Sequence, residues 1–380
     1  MYIKEEHNLI RQSVRDFAEQ VIHPKAQELD EKAQFSEDIT RQMGEMGLMG
    51  MVIPKKYGGQ EMDYLSYIIA VEELARIDSS QAATIAAHNS LGIGPIYYFG
   101  NETQKEKYLP QLCTGEKLWA FGLTEPNAGS DSRGSKTTAN LESGKWVIHG
   151  SKIFITNGSS KMSAGASVQT ISGRKEDGRK EYSCIIVVKG TKGFTSRTMK
   201  GKMLWRASDT SELFFDNCTV PEENLLGQRG NGSKIMLSTL DRGRLSIGAM
   251  GLGLAQGAYE LALKYAKERH QFGQAIGKFQ AIAFKISDMA TKIEAARRLL
   301  YHACWLVDTG QPFSKEAAMA KLYCSEVARE VADEAVQVHG GYGLMKDYDI
   351  ERFYRDQRIL QIGEGTSEIQ RLVISRHLGI

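Results

Sequence analysis

The sequence predicts an α+β chain built in three successive parts: helical over residues 1–117, β over 118–226, and a helical bundle over 227–380. Three observations carry this. Apolar residues recur three and four apart up to about Lys117. Short alternating runs, separated by turn residues, replace that period between Leu118 and Leu226. The helical period then returns beyond Gly230 and persists.

In the first part, Leu9, Ile10, Val14, Phe17, Ala18 and Val21 form one helix face, and Pro24 marks the approach to its end. Ile53-Pro54 and Gly58-Gly59 make a loop, after which Ser66 to Arg76 is helical again. Asp78-Ser79-Ser80 reads as the N-cap of a third helix running towards Leu91, with Pro95 and Gly100 as punctuation beyond it. In the middle part the runs KWVIH (145–149), KIFIT (152–156), SCIIVV (183–188) and ELFF (212–215) alternate like strands. Turns at Asn157-Gly158, Asp177-Gly178 and Gly193 divide them, and their size suggests a small barrel or sandwich. In the third part, Leu240 to Arg269, Ile282 to Thr309, Ser314 to Gly340 and Gly365 to Arg376 are helices long enough to form a four-helix bundle.

Composition narrows the function classes. The 380 residues carry 48 basic and 46 acidic side chains, so the formal charge is 48 − 46 = +2 and nucleic acid is not an expected partner. No run of ~18 apolar residues occurs, so no membrane insertion is expected. The start, MYIKEEHNLIRQSVRDF, is charged and amphipathic rather than signal-like. Five cysteines without a C-x-x-C pair suggest neither a disulfide framework nor a zinc site, and no metal is expected. These features together point to a cytoplasmic protein.

Four runs could carry chemistry. Trp119 to Asp131 (WAFGLTEPNAGSD) is an apolar strand entering a hydroxyl- and glycine-rich turn, and FITNG (154–158) is a second strand ending in a hydroxyl and a turn. QVHGGYG (337–343) stops a helix at Gly340-Gly341, where bare backbone can approach a flat or anionic ligand. It is not a G-x-G-x-x-G after a strand, so a Rossmann site is not supported. GEGTSEIQ (363–370) holds Glu364 between two glycines, which suits a general base that reaches into a pocket. Arg244 and Arg269 are candidate phosphate ligands.

In this order, and on this α, β, α plan, the runs resemble the acyl-CoA dehydrogenase family. The resemblance covers essentially the whole chain and is most specific at FGLTEPNAGSD (121–131) and at Gln337 through Gln370, with RFYRD (352–356) between its ends. It implies FAD as cofactor, an acyl-CoA substrate, an electron-transfer flavoprotein as electron acceptor and a homotetramer arranged as a dimer of dimers. By motif match, Phe121, Leu123 and Thr124 would contact the isoalloxazine, and Ser130 would lie near the FAD pyrophosphate or the CoA. Phe154, where many members carry Trp, and Thr156 would flank the ring. Arg269, Gln271 and Phe272 match a segment that reaches the FAD of a neighbouring subunit, and Gln280 a further contact. Gln337, Gly340, Gly341, Thr366 and Glu368 would approach the pyrophosphate and adenosine, so the third part carries much of the FAD site. Asp241 and Arg244 match the D-x-x-R that holds the CoA moiety, with Gly365 a further substrate contact.

The resemblance also implies the base. Members place it either as a Glu in the E-G-T-S loop or on the long helix just before the Arg of D-x-x-R. This chain has Glu364 at the first position and Gly243 at the second. The implied reaction is α,β-dehydrogenation of the thioester, with Glu364 taking the α-proton while hydride leaves Cβ for flavin N5. The Glu364 N–H and a ribityl hydroxyl would meet the enolate oxygen, each such donor being worth about 3–4 kcal/mol. An apolar, substrate-filled site would raise Glu364 towards neutrality.

Gly363, where straight-chain members often carry Tyr, suggests room for a short, branched or alicyclic acyl group, with His88-Asn89-Ser90, Gly92 and Gly94 expected near the acyl pocket. A dicarboxylic acyl group would need a cation, and Arg133 and Arg242 remain open for that role. An enoyl-CoA reductase running the reaction in reverse is equally compatible. A nitroalkane oxidase-like enzyme would carry Asp in place of Glu364, and a non-catalytic CoA-binding protein would lack the base.

Overall fold

The computed structural model describes residues 3–380; Met1 and Tyr2, which open the charged N-terminal stretch, lie outside the described residues. Seven helices form the first part: α1 (Glu5–Phe17), α2 (His23–Lys32), α3 (Glu37–Glu45), α4 (Tyr64–Ala75), α5 (Ser79–Ala86), α6 (Ile93–Phe99) and α7 (Glu102–Cys113). Ser36, Asp63, Asp78 and Asn101 cap α3, α4, α5 and α7 by accepting a backbone N–H three residues on.

Pro24 does not end the first helix. A π-turn over Ala18–Ile22 joins α1 to α2, and Pro24 falls within the first two positions of α2. The wider turn shifts the register, so the ring and its missing N–H sit where a helical bond is least needed. A second π-turn, Ala87–Gly92, carries the helix capped by Asp78 past Leu91 to Phe99, with Pro95 inside the first turn of α6.

The middle part holds β1 (Leu118–Gly122), β2 (Thr138–Glu142), β3 (Lys145–Thr156), β4 (Ser163–Arg174), β5 (Lys180–Val188), β6 (Phe194–Thr198), β7 (Thr210–Pro221) and β8 (Leu225–Leu226). They make one sheet in the order β6-β7-β3-β2-β4-β5-β8, with β1 added parallel to β4. The path ends at β6 and at the two-residue β8, and β2 meets β4 through the single ladder pair Thr138–Ile171. Trp146, Ile148, Ile155, Val168, Leu213 and Phe215 fill its core.

The third part comprises α8 (Gly232–Glu268), α9 (Gln280–Asp308), α10 (Ser314–His339), α11 (Ile350–Asp356) and α12 (Ser367–His377). Helix α8 begins at Gly232 rather than at Leu240, and Gly232 lies directly on the Ser183 backbone of β5, where a Cβ would come within 2.5 Å. Its other end reaches a small hairpin over residues 270–275. Helix α8 packs on α9, α10 and α4, so one apolar core joins the two helical parts. A charged node ties all three parts together. The buried Arg352 donates to the Ile77 carbonyl and to Asp78, each at 3.1 Å, and Asp356 accepts the Trp205 N–H at 2.9 Å. Among the described residues, no helix is long and apolar enough to cross a membrane.

Candidate active site

Glu364 sits in the loop between α11 and α12 with φ +54°, followed by Gly365 at +95°. Gly365 adopts this region freely, but for Glu364 it is costly unless something holds it. Here the Gly365 carbonyl accepts from Lys321 Nζ and from Gln370 Nε2, both at 2.7 Å, and Thr366 caps α12 by accepting the Ile369 N–H. The residue is half-buried, but its Oε2 is closed off from solvent and has no hydrogen-bond partner. Burial raises the carboxyl to about 7, against the opposing pull of Lys321 and Arg244. The carboxylate lies over Gly243 of α8, where a Cβ would fall 1.9 Å from Oε2. The two positions at which a base was conceivable are therefore neighbours in space, and a side chain at 243 would require the Glu364 carboxylate to move.

Asp241 and Arg244 form an ion pair one turn apart on α8, and Ser314 donates to Asp241 at 2.9 Å. Arg244 is buried with its Nε unpartnered, and its charge is felt at Glu364. Gly363 leaves ordinary van der Waals space, the nearest atom to an added Cβ being the Ile359 carbonyl oxygen at 3.5 Å.

The turn after β1 is built on a buried ion pair. Lys152 of β3 has no exposed surface and donates to Glu125 at 2.7 Å and to the Leu123 carbonyl at 3.2 Å. Glu125 also accepts the N–H groups of Lys136 (2.6 Å) and Thr137 (3.1 Å). Burial opposes ionisation of Glu125, yet these partners outweigh it and hold the carboxyl below its usual range. Phe121 and Leu123 are buried in the turn, the Thr124 carbonyl accepts from the Ile153 N–H at 3.0 Å, and Ser130 is exposed beyond it. The β3–β7 register breaks between Lys152 and Ile155, and Phe154 occupies the break at φ +60° with 64% of its surface exposed. A bulge re-aims a side chain, and here it turns an aromatic ring out beside the Thr124 turn. Thr156 follows, paired with Thr210.

Arg269, Gln271, Gly340 and Gly341 are brought together with Tyr265, His339 and Tyr342 around a groove of about 500 Å³. Gly340 ends α10 at φ +61°, and nothing lies within 4 Å of a Cβ added at Gly340 or Gly341, so bare backbone faces the groove. Phe272, at the hairpin tip, is 94% exposed. Gln280 opens α9, Gln337 precedes the glycines by one turn of α10, and Glu368 lies in the first turn of α12; all three are exposed. The groove and the Glu364 loop share no lining residue.

His88 and Asn89 turn their polar atoms to partners within the fold. His88 accepts the Trp119 N–H at Nδ1 (3.2 Å) and donates from Nε2 to the Leu112 carbonyl (2.9 Å), and burial lowers its pKa to about 4. Asn89 bonds the Leu48 and Ile85 carbonyls and the Met51 N–H. Gly92 is a close-packing site, with a Cβ position 2.5 Å from the Trp119 carbonyl oxygen. His88 and Gly92 dock β1 against the helices, and Asn89 ties the backbone at Leu48 and Met51 to its own helix. Sequence reasoning missed Lys321, Gln370 and Lys152. The one signal for Lys321 was a lone lysine on the apolar stripe of AAMAKLYC (317–324). Among the described residues, no group of three or more His, Cys, Asp or Glu is placed to hold a metal.

Comparison with known proteins agrees with this architecture part by part. Residues 4–116, 120–218 and 230–379 match the N-terminal, middle and C-terminal domains of acyl-CoA dehydrogenase. The short-chain specific acyl-CoA dehydrogenase of Clostridium acetobutylicum is 47% identical over 370 residues, covering 97% of each chain. The structure of butyryl-CoA dehydrogenase from Megasphaera elsdenii superposes with a TM-score of 0.96 at 42% identity, over 100% of this chain and 99% of that one. A chain in a structure described as the electron transferring flavoprotein of Acidaminococcus fermentans, in work on flavin-based electron bifurcation, also gives 0.96, at 46% identity over 99% and 98%. With matches along its whole length and identity well above what a shared fold alone would give, the chain belongs to the acyl-CoA dehydrogenase family.

Proposed function

We propose that the protein is an FAD-dependent acyl-CoA dehydrogenase that converts a short, branched or alicyclic acyl-CoA to its 2-enoyl-CoA, with Glu364 as the base. The observation that carries this is the Glu364 carboxylate: closed off and unpartnered at Oε2, raised to about 7, and lying over Gly243 of α8. A base of that strength is matched to a weakly acidic carbon at neutral pH. Glu364 takes the α-proton, and its own N–H serves the thioester oxygen. Bound FAD would supply the acceptor for the hydride that leaves Cβ.

The chain's residues fit that cofactor. The Thr124 turn is braced from below by Lys152, Phe154 offers an exposed ring beside it, and the bare backbone of Gly340 and Gly341 suits an anionic, extended ligand. Phe121, Leu123, Thr124, Phe154 and Thr156 would hold the ring. Ser130, Arg269, Gln271, Phe272, Gln280, Gln337, Gly340, Gly341, Thr366 and Glu368 would hold the remainder. The groove at Arg269 lies apart from Glu364, which supports a cofactor shared between subunits of a homotetramer, with folding and FAD binding thermodynamically linked. Asp241, Arg244, Ser130 and Gly365 would engage the CoA thioester. The likeness to a chain from an electron-transferring flavoprotein structure supports such a flavoprotein as electron acceptor. Space at Gly363, together with the likeness to a butyryl-CoA dehydrogenase, supports a small acyl group.

Anaerobic titration of the flavin-loaded protein with a panel of CoA thioesters tests this. Bleaching of the flavin by C4–C6 straight, branched or alicyclic thioesters is expected. A protein that holds no flavin, or whose flavin no thioester reduces, overturns the reading.

A further inference from the structure

We propose that Lys321 is a positioning residue for the reaction: its buried ammonium, pinned to the Gly365 carbonyl, holds the Glu364 loop in its left-handed turn and supplies positive charge beside which the Glu364 carboxylate ionises. This deepens the reading of Glu364 as the base and rests on it.

Lys321 lies on α10 among Ala317, Ala318, Ala320 and Cys324, and none of its surface is exposed. Burying an ammonium there is costly and demands compensation. Three N–H donors are available on the group, yet its hydrogen bond is one, to the Gly365 carbonyl. The rest of the compensation is electrostatic. The charged and titratable groups that face Glu364 and Lys321 come from every helix packed around the loop: Tyr67 from α4, Arg244 from α8, Lys321 itself from α10 and Glu368 from α12. Arg244 already spends its charge on Asp241, whereas Lys321 has no carboxylate bonded to it. Burial lowers the Lys321 ammonium to about 8, still above the Glu364 carboxyl at about 7, so Lys321 carries charge as Glu364 ionises, and the same atom that supplies the field also fixes the loop. Gln370 shares the carbonyl and backs the geometry without adding charge.

The two roles separate by substitution. Lys321→Met removes both charge and donor, Lys321→Gln keeps a donor, and Lys321→Arg keeps the charge. The titration of Glu364 is read in the flavin-loaded protein without thioester, from the infrared carbonyl band of the protonated carboxyl that is absent in Glu364→Gln. In Lys321→Met and Lys321→Gln the midpoint is expected to rise by about one pH unit, and in Lys321→Arg to stay near that of the unsubstituted protein. The pH profile of flavin bleaching should move by the same amount. Should Lys321→Met fail to fold, Lys321→Gln decides alone. An unchanged midpoint in the neutral variants overturns the proposal, even if their rates fall. If no thioester bleaches the unsubstituted protein, the proposed function falls, while the infrared titration still decides what Lys321 does to Glu364.

Discussion

Lys152 in the sheet and Lys321 in the bundle are both closed off from solvent, and each lies near a glutamate, but the two neighbourhoods are built differently. Lys152 bonds Glu125 directly, and two peptide N–H groups complete the carboxylate's shell. Lys321 bonds a peptide carbonyl and leaves Glu364 Oε2 without a partner. The first arrangement lowers the carboxyl's pKa and makes it inert; the second leaves it near 7. A closed pair is a brace, and here it braces the turn at Thr124. An open one leaves a carboxylate whose proton is exchangeable with a ligand.

Breaking the open site gives the largest expected effect. Glu364→Gln should slow flavin reduction by about 10²–10⁴-fold while FAD and thioester still bind, as read by stopped-flow bleaching. A variant that bleaches at the normal rate would remove Glu364 from its role. Breaking the closed pair should act on stability instead. Lys152→Met leaves Glu125 buried without its ammonium partner, a loss of about 3–5 kcal/mol in denaturant unfolding. Adding Glu125→Gln should recover part of it, and a double variant no better than the single would show that the pair is not the source.

Gly243→Ala sharpens the contrast, since the new Cβ would displace the Glu364 carboxylate. A misplacement of about 1 Å costs roughly 10²-fold in rate, with flavin content unchanged. The smallest effect is the pH dependence of stability. Because the folded protein binds the Glu364 proton more tightly than the unfolded chain does, this group's contribution is full below its usual value of 4.5 and is lost as pH rises through about 7. Glu364→Gln should therefore gain on the unsubstituted protein between pH 5 and 8, by on the order of 2 kcal/mol. Parallel thermal melts that keep a constant gap across that range would contradict it.

The α, β, α order was legible because hydrophobic period changes twice along the chain, and period is a local property. The runs around Thr124, Phe154, Gly340 and Glu364 were legible for the same reason: each is contiguous in sequence. What sequence could not show is how those runs meet. Pro24 reads as a stop until a π-turn re-registers the helix around it. The hydrogen bonds by which His88 and Asn89 tie β1, α7 and the backbone at Leu48 and Met51 to one helix are likewise invisible in sequence.

The sequence by itself determined the residue types, the turn chemistry and the glutamate flanked by glycines. Only the tertiary structure decided that Gly243, 121 residues earlier, is the empty place opposite Glu364, and that Lys321 reaches the Gly365 carbonyl from a third helix. The physical reason is range. Propensity, capping and hydrophobic period act over a few residues, whereas burial, charge proximity and the absence of a partner depend on which helices pack together.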